Sequence, residues 1–159
     1  MPPEGHMSQN PEIAPDFTLP RSGGGEITLS SLRPSPVVLF FYPRDDTSGC
    51  TKEAIAFTGL LGDFARAGVQ VFGLSRDSVA SHEKFVAKHS LGIPLLSDEH
   101  GTTCEDYGVW KEKSMYGKTF MGIERSTFLI DGAGRIAREW RKVKVPGHAE
   151  EVLEAARTL

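Results

Sequence analysis

The chain has 159 residues, 39% apolar and 25% charged, with 18 Lys and Arg against 21 Asp and Glu for a formal net charge of −3. That length supports one domain with a single substantial core. Basic residues spread thinly under a slight acidic excess argue against a nucleic-acid partner, and the longest apolar run, Val37 to Tyr42, is far too short to cross a bilayer.

The N-terminus lacks a basic segment followed by an apolar one, so no secretory signal is expected. The expected location is the cytoplasm, with neither membrane nor nucleic acid as partner. Residues 1–12 are expected to form a flexible segment, unstructured over Met1 to Met7. Gly5-His6-Met7 reads as a vector remnant with Met7 as the native start. The domain is expected over 13–159.

Within it, Gly23-Gly24-Gly25 separates Phe17-Thr18-Leu19 from Ile27-Thr28-Leu29 and predicts a hairpin turn. Val37 to Phe41 is a β-branched and aromatic run without alternation, as in a central strand buried on both faces. Ala54, Ile55, Phe57, Leu60, Leu61 and Phe64 then follow helical spacing, predicting one helix stopped by Gly68. Val69 to Leu74 predicts a strand, Ser78 to His89 a helix, and Pro94-Leu95-Leu96 a short strand. A small helix is expected over 101–107, closed by Gly108. Trp110, Tyr116 and Phe120 fall in a Lys-rich loop, where they either line a pocket or cover the core. Asp131-Gly132-Ala133-Gly134 joins Ser126–Ile130 to Ile136–Trp140 as a hairpin, and a helix is expected from His148 to the C-terminus. Strands alternating with helices, plus a late hairpin, predict a three-layer α/β domain with a central mixed sheet.

The chain has two cysteines, Cys50 and Cys104. Cys50 lies in Phe41-Tyr42-Pro43-Arg44-Asp45-Asp46-Thr47-Ser48-Gly49-Cys50-Thr51, which joins the buried strand to a helix. Such junctions, at strand carboxyl ends, are where open α/β sheets place their sites. With Thr47 as N-cap, Cys50 is the third helical residue, among unpaired backbone N–H groups at the positive end of the helix dipole. Both favour the thiolate, which is the nucleophile. Asp45 and Asp46 are expected to oppose it, so a nearby cation is required. The histidines do not cluster. His82 and His89 share a helix face two turns apart and are expected in solvent rather than on a metal. Neither a cofactor loop nor a metal-ligand pattern is expected.

Pro43-x-x-x-Thr47-x-x-Cys50 resembles the active-site signature of the peroxiredoxins, and its flanks resemble the bacterioferritin-comigratory, or PrxQ-type, subfamily. Ala14 to Leu19, Tyr107-Gly108-Val109 and Gly122 to Asp131 extend the resemblance from about Ile13 to the C-terminus. It implies a thioredoxin-like fold and a thiol peroxidase acting on hydrogen peroxide and organic hydroperoxides, with thioredoxin or a similar thiol as reductant. It also implies an antioxidant role and a monomer rather than a homodimer. Cys50 would be the peroxidatic cysteine, oxidised to a sulfenic acid. Thr47 would turn its hydroxyl to thiolate and peroxide, and Pro43 would shield the sulfur. Arg125 would be the required cation, and Glu53 would hold its guanidinium.

The sequence departs from the subfamily at Ser48, where proline is frequent, and at Ile55 and Val86, where a resolving cysteine is frequent. Cys104 is expected as an inert buried thiol, with a resolving role as the alternative. A one-cysteine cycle is the expectation. A dithiol–disulfide oxidoreductase would need cysteine where Thr47 stands. A redox-inactive binding or chaperone-like module is the remaining alternative, and the joint presence of Pro43, Thr47, Cys50 and Arg125 argues against it.

Overall fold

The computed structural model describes residues 6–7 and 12–159. β1 (His6–Met7) pairs antiparallel with Arg138 and Glu139. Unstructured chain was expected over residues 1–7. Residues 1–5 lie outside the described residues, and residues 6–7 instead add to the open edge of a strand, whose unpaired backbone groups accept an extended segment.

β2 (Thr18–Pro20) and β3 (Glu26–Thr28) pair antiparallel. The turn between them carries Gly23, Gly24 and Gly25 at φ of 86°, 96° and 76°, a left-handed run that only glycine adopts without strain. β4 (Val37–Phe41) follows and is buried throughout. Its Val37, Leu39 and Phe41 enter one core, and its Val38 and Phe40, with Tyr42 beyond them, enter another. Two buried faces explain why the run shows no polar alternation.

The single helix expected up to Gly68 is two: α1 (Ser48–Gly59) and α2 (Leu61–Arg66). The break falls at Leu60, with φ −103° and ψ 4°, between Gly59 and Gly62, each worth nearly 1 kcal/mol less than alanine in a helix. β5 (Gln70–Ser75), α3 (Val79–His89), β6 (Leu95–Ser97) and α4 (Thr103–Asp106) come next.

The expected Lys-rich loop is a second hairpin, β7 (Trp110–Met115) with β8 (Lys118–Ile123). Its turn places Tyr116 and Gly117 at φ of 52° and 76°, the left-handed pair of a type I′ turn. Tyrosine is an unusual first residue there, and most of the hairpin is exposed, so neither turn chemistry nor an apolar face announces it. β9 (Ser126–Ile130) and β10 (Ile136–Trp140) form the last hairpin, and α5 (His148–Ala156) closes the chain.

The central strands run β10-β9-β4-β5-β6, with β1 at the β10 edge. β4 is parallel to β5 and antiparallel to β9, giving the mixed sheet. The crossovers β4–β5 and β5–β6 step in the same direction, so right-handedness places both sets of helices on one face. α1, α2, α3 and α5 fill that face around Phe40, Phe57, Phe64 and Phe85, with Phe40 and Phe57 stacked at 4.6 Å. The β2–β3 hairpin, the turn after it, α4 and the root of β7–β8 cover the other.

Candidate active site

Two features of the topology converge on Cys50. Parallel β4 and β5 deliver their carboxyl ends to one edge of the sheet, where α1 begins. β9 runs the other way, so Ser126 at its start pairs with Phe41 at the end of β4. Arg125, one residue earlier, therefore arrives beside the N-terminus of α1.

Thr47 is the N-cap of α1 and Cys50 its third residue, as expected. Cys50 is buried at 1% exposure, and Arg125 Nη2 donates to its Sγ at 3.3 Å. Arg125 Nη1 donates to Glu53 Oε1 at 2.7 Å. The guanidinium also lies against Gly49, where an added Cβ would stand 3.1 Å from Nη2. Burial works against the Arg125 charge, yet Glu53 and Cys50 together hold its pKa above the usual value. Glu53 is itself buried, and burial pushes its carboxyl up to about 7 against the pull of Arg125. Among the described residues its second oxygen has no hydrogen-bond partner.

The Thr47 hydroxyl does not cap a helix N–H. It donates to the Arg44 carbonyl at 2.9 Å, which commits its proton and leaves its lone pairs open as acceptors. Pro43 is half-buried in the turn leaving β4.

The acidic pair expected to oppose the thiolate is turned away from it. The Asp45 carboxylate accepts from Tyr42 at 2.6 Å and Ser81 at 2.7 Å, and meets His82 Nδ1 at 2.8 Å. Asp46, at φ 58°, takes Lys88 at 2.7 Å and His89 at 2.8 Å. α3 thus absorbs both charges, which local sequence could not reveal. His82 is correspondingly not in solvent: it is fully buried, with Nε2 on the Leu96 carbonyl at 2.8 Å. Asp45, Asp77 and His82 hold ligand-capable atoms within 4.8 Å of one another. Both His82 nitrogens and both carboxylates are taken up in hydrogen bonds, which disfavours a metal.

Cys104 belongs to the core on the opposite face of the sheet from Cys50, and both thiols are free. Burial, with Asp98 beside it, pushes the Cys104 thiol far above its ordinary pKa. Ile55 is half exposed on α1, and Val86 packs on the edge of the helical core. Of the three aromatic residues expected in the Lys-rich loop, Trp110 packs on the second core beneath Arg76, Tyr116 is at the exposed hairpin tip, and Phe120 is half exposed on β8. Lys113, half-buried on β7, escapes sequence reasoning; Arg125 and Cys50 are among the groups that act on its charge. Its one sequence signal is a place in the stretch whose composition predicts a Lys-rich loop.

The AhpC/TSA family profile matches residues 11–139. A putative peroxiredoxin bcp of Coxiella burnetii is 50% identical over 140 residues, 88% of this chain and 93% of that protein. Peroxiredoxin Bcp of Bacillus subtilis is 44% identical over 146 residues, 92% of this chain and 93% of that one. A solved structure of Xanthomonas campestris Peroxiredoxin Q superposes with a TM-score of 0.85 at 47% identity, covering 89% of this chain and 90% of that one. The chain therefore belongs to the AhpC/TSA family and, within it, to the peroxiredoxins of the Bcp or PrxQ kind, which are thiol peroxidases.

Proposed function

We propose that Cys50 reduces hydrogen peroxide and organic hydroperoxides through a sulfenic acid, which an external thiol then reduces. The observation that carries this reading is the Arg125 guanidinium, shared between Cys50 Sγ at 3.3 Å and Glu53 Oε1 at 2.7 Å. In the reaction the Cys50 thiolate attacks the hydroxyl-bearing peroxide oxygen. The S–O bond forms as the O–O bond breaks, and the other oxygen leaves with the bonding electron pair and takes up a proton.

Arg125 stabilises the thiolate beforehand and the charge spreading over the two oxygens during the step. Glu53 holds the guanidinium in that orientation. The Thr47 hydroxyl, its own proton committed to Arg44, accepts from the peroxide O–H. Pro43 fixes the turn and keeps bulk water from the sulfur.

A structure of the X. campestris bacterioferritin comigratory protein, 46% identical, is described with alkyl peroxide reduction activity, which supports organic hydroperoxides as substrates. Thioredoxin or a similar protein thiol would return the electrons. All the groups named come from one chain, so a monomer suffices. Two free thiols suit a reducing cytoplasm, and among the described residues no helix is long and apolar enough to cross a membrane.

The test is peroxide consumption under single turnover by wild type, Cys50→Ser and Arg125→Ala. Serine should abolish the reaction without unfolding the domain. Loss of the arginine should slow it by roughly 10²-fold, the usual cost of a group that stabilises developing charge. Substantial turnover by Cys50→Ser would remove Cys50 from this role.

A further inference from the structure

The β7–β8 hairpin leaves its large apolar residues Met115, Phe120 and Met121 about half exposed and draws a lysine inward. Of Lys111 to Met115, only Lys113 is not exposed. Its cross-strand partner is Phe120, yet its stem leans diagonally over Gly122, towards the end of the hairpin that leads into Arg125. A Cβ on Gly122 would stand 3.1 Å from Lys113 Cδ and 3.3 Å from Cε. Gly122 has no left-handed backbone to require glycine, so what its bare Cα provides is room for this stem.

A lysine at a surface ordinarily extends its ammonium into water. Lys113 instead lays its stem along Gly122, within reach of the charges of Arg125 and Cys50. Among the described residues no carboxylate lies within ion-pair distance of it, and Glu124 on its side of the site is engaged by Arg141 at 3.7 Å. Burial and Arg125 both lower the Lys113 pKa, while the Cys50 thiolate and Glu124 act in the opposite sense. An inward cation without a paired carboxylate, on the hairpin bordering the peroxidatic cysteine, suits an anion that exists only during the reaction.

We propose that Lys113 is the donor of the proton taken up by the leaving oxygen. The proposal rests on Cys50 as the group that attacks peroxide. As Cys50 sulfur is oxidised to the sulfenic acid and the O–O bond is reduced, the departing alkoxide carries away the bonding pair. It accepts a proton from the Lys113 ammonium and leaves as the alcohol. The neutral amine then regains its proton from water. A lysine with a depressed pKa is the better acid for this task, whereas Arg125, held protonated by Glu53 and Cys50, supplies charge without giving up a proton.

The test compares two oxidants under single turnover, following loss of the Cys50 thiol. tert-Butyl hydroperoxide expels a strongly basic alkoxide, which needs the proton. Peracetic acid expels acetate, which does not. Lys113→Met should slow the first by ~10²-fold, the lower end for general acid catalysis, and leave the second within about twofold. Lys113→Arg, which keeps the charge but cannot release a proton near neutral pH, should not restore the alkyl hydroperoxide rate. Equal losses on both oxidants, no loss on either, or full rescue by arginine would each overturn the assignment. A wild type that oxidises Cys50 with neither oxidant would instead refute the underlying role of Cys50.

Discussion

The Asp45 carboxylate meets His82 Nδ1 at 2.8 Å, while His82 Nε2 lies 2.8 Å from the Leu96 carbonyl. A carbonyl only accepts, so Nε2 carries a proton, and the Nδ1–carboxylate contact holds one more. The pair is buried, and it ties the turn before Thr47 to α3 and to the end of β6. The two acidic residues inside the motif are thus tied to α3 and fix the turn that leads into the cysteine's helix.

Breaking that pair from one side should be costly. His82→Leu leaves Asp45 buried without its partner, a situation that typically costs about 3–5 kcal/mol. Urea unfolding should register that loss. The surviving folded protein should oxidise Cys50 more slowly, because Pro43, Arg44 and Thr47 lose the contact that sets their position. Unchanged stability in His82→Leu would show that the contact carries no weight.

Glu53 gives stability a pH dependence of defined sign. Its carboxyl is raised from an ordinary 4.5 to about 7 by burial, so over that interval the folded state keeps a proton that the unfolded chain has released. The resulting stabilisation is full below 4.5 and is lost as pH rises through 7. Its size is on the order of 3 kcal/mol. Glu53→Gln keeps an oxygen for Arg125 Nη1 and removes the titration. Denaturant curves from about pH 5 to about pH 8 should therefore fall less steeply for the variant than for wild type. Parallel pH profiles would rule out Glu53 as the source.

Recycling follows from the position of the second cysteine. A disulfide needs Cα atoms within about 7 Å, whereas Cys50 and Cys104 serve cores on opposite faces of the sheet. One-cysteine turnover is the expected outcome. Stoichiometric peroxide without reductant should give sulfenic and then sulfinic forms at Cys50 by mass spectrometry, since no internal disulfide protects the sulfur. Cys104 should stay reduced and become alkylatable only after denaturation. A quantitative Cys50–Cys104 crosslink would make this a two-cysteine enzyme.

Much of this was legible in the order of residues. The unbroken apolar run of β4, the glycine turn after β2, the hairpin at 131–134 and the helical start that makes Cys50 third in line are all local. Periodicity, turn chemistry and capping act over a few residues, so sequence alone determines them. The motif around Cys50 also marked the cysteine and the need for a cation. What the tertiary structure decided depends on which strands pair and in which direction. Antiparallel pairing of β9 with β4 brings Arg125 to a sulfur 75 residues earlier in the chain. Packing of α3 against the loop takes up Asp45 and Asp46, and the two-sided sheet separates Cys104 from Cys50. The exposed hairpin that directs Lys113 inward has neither an apolar face nor a familiar turn to disclose it, so its position emerged only from the folded chain.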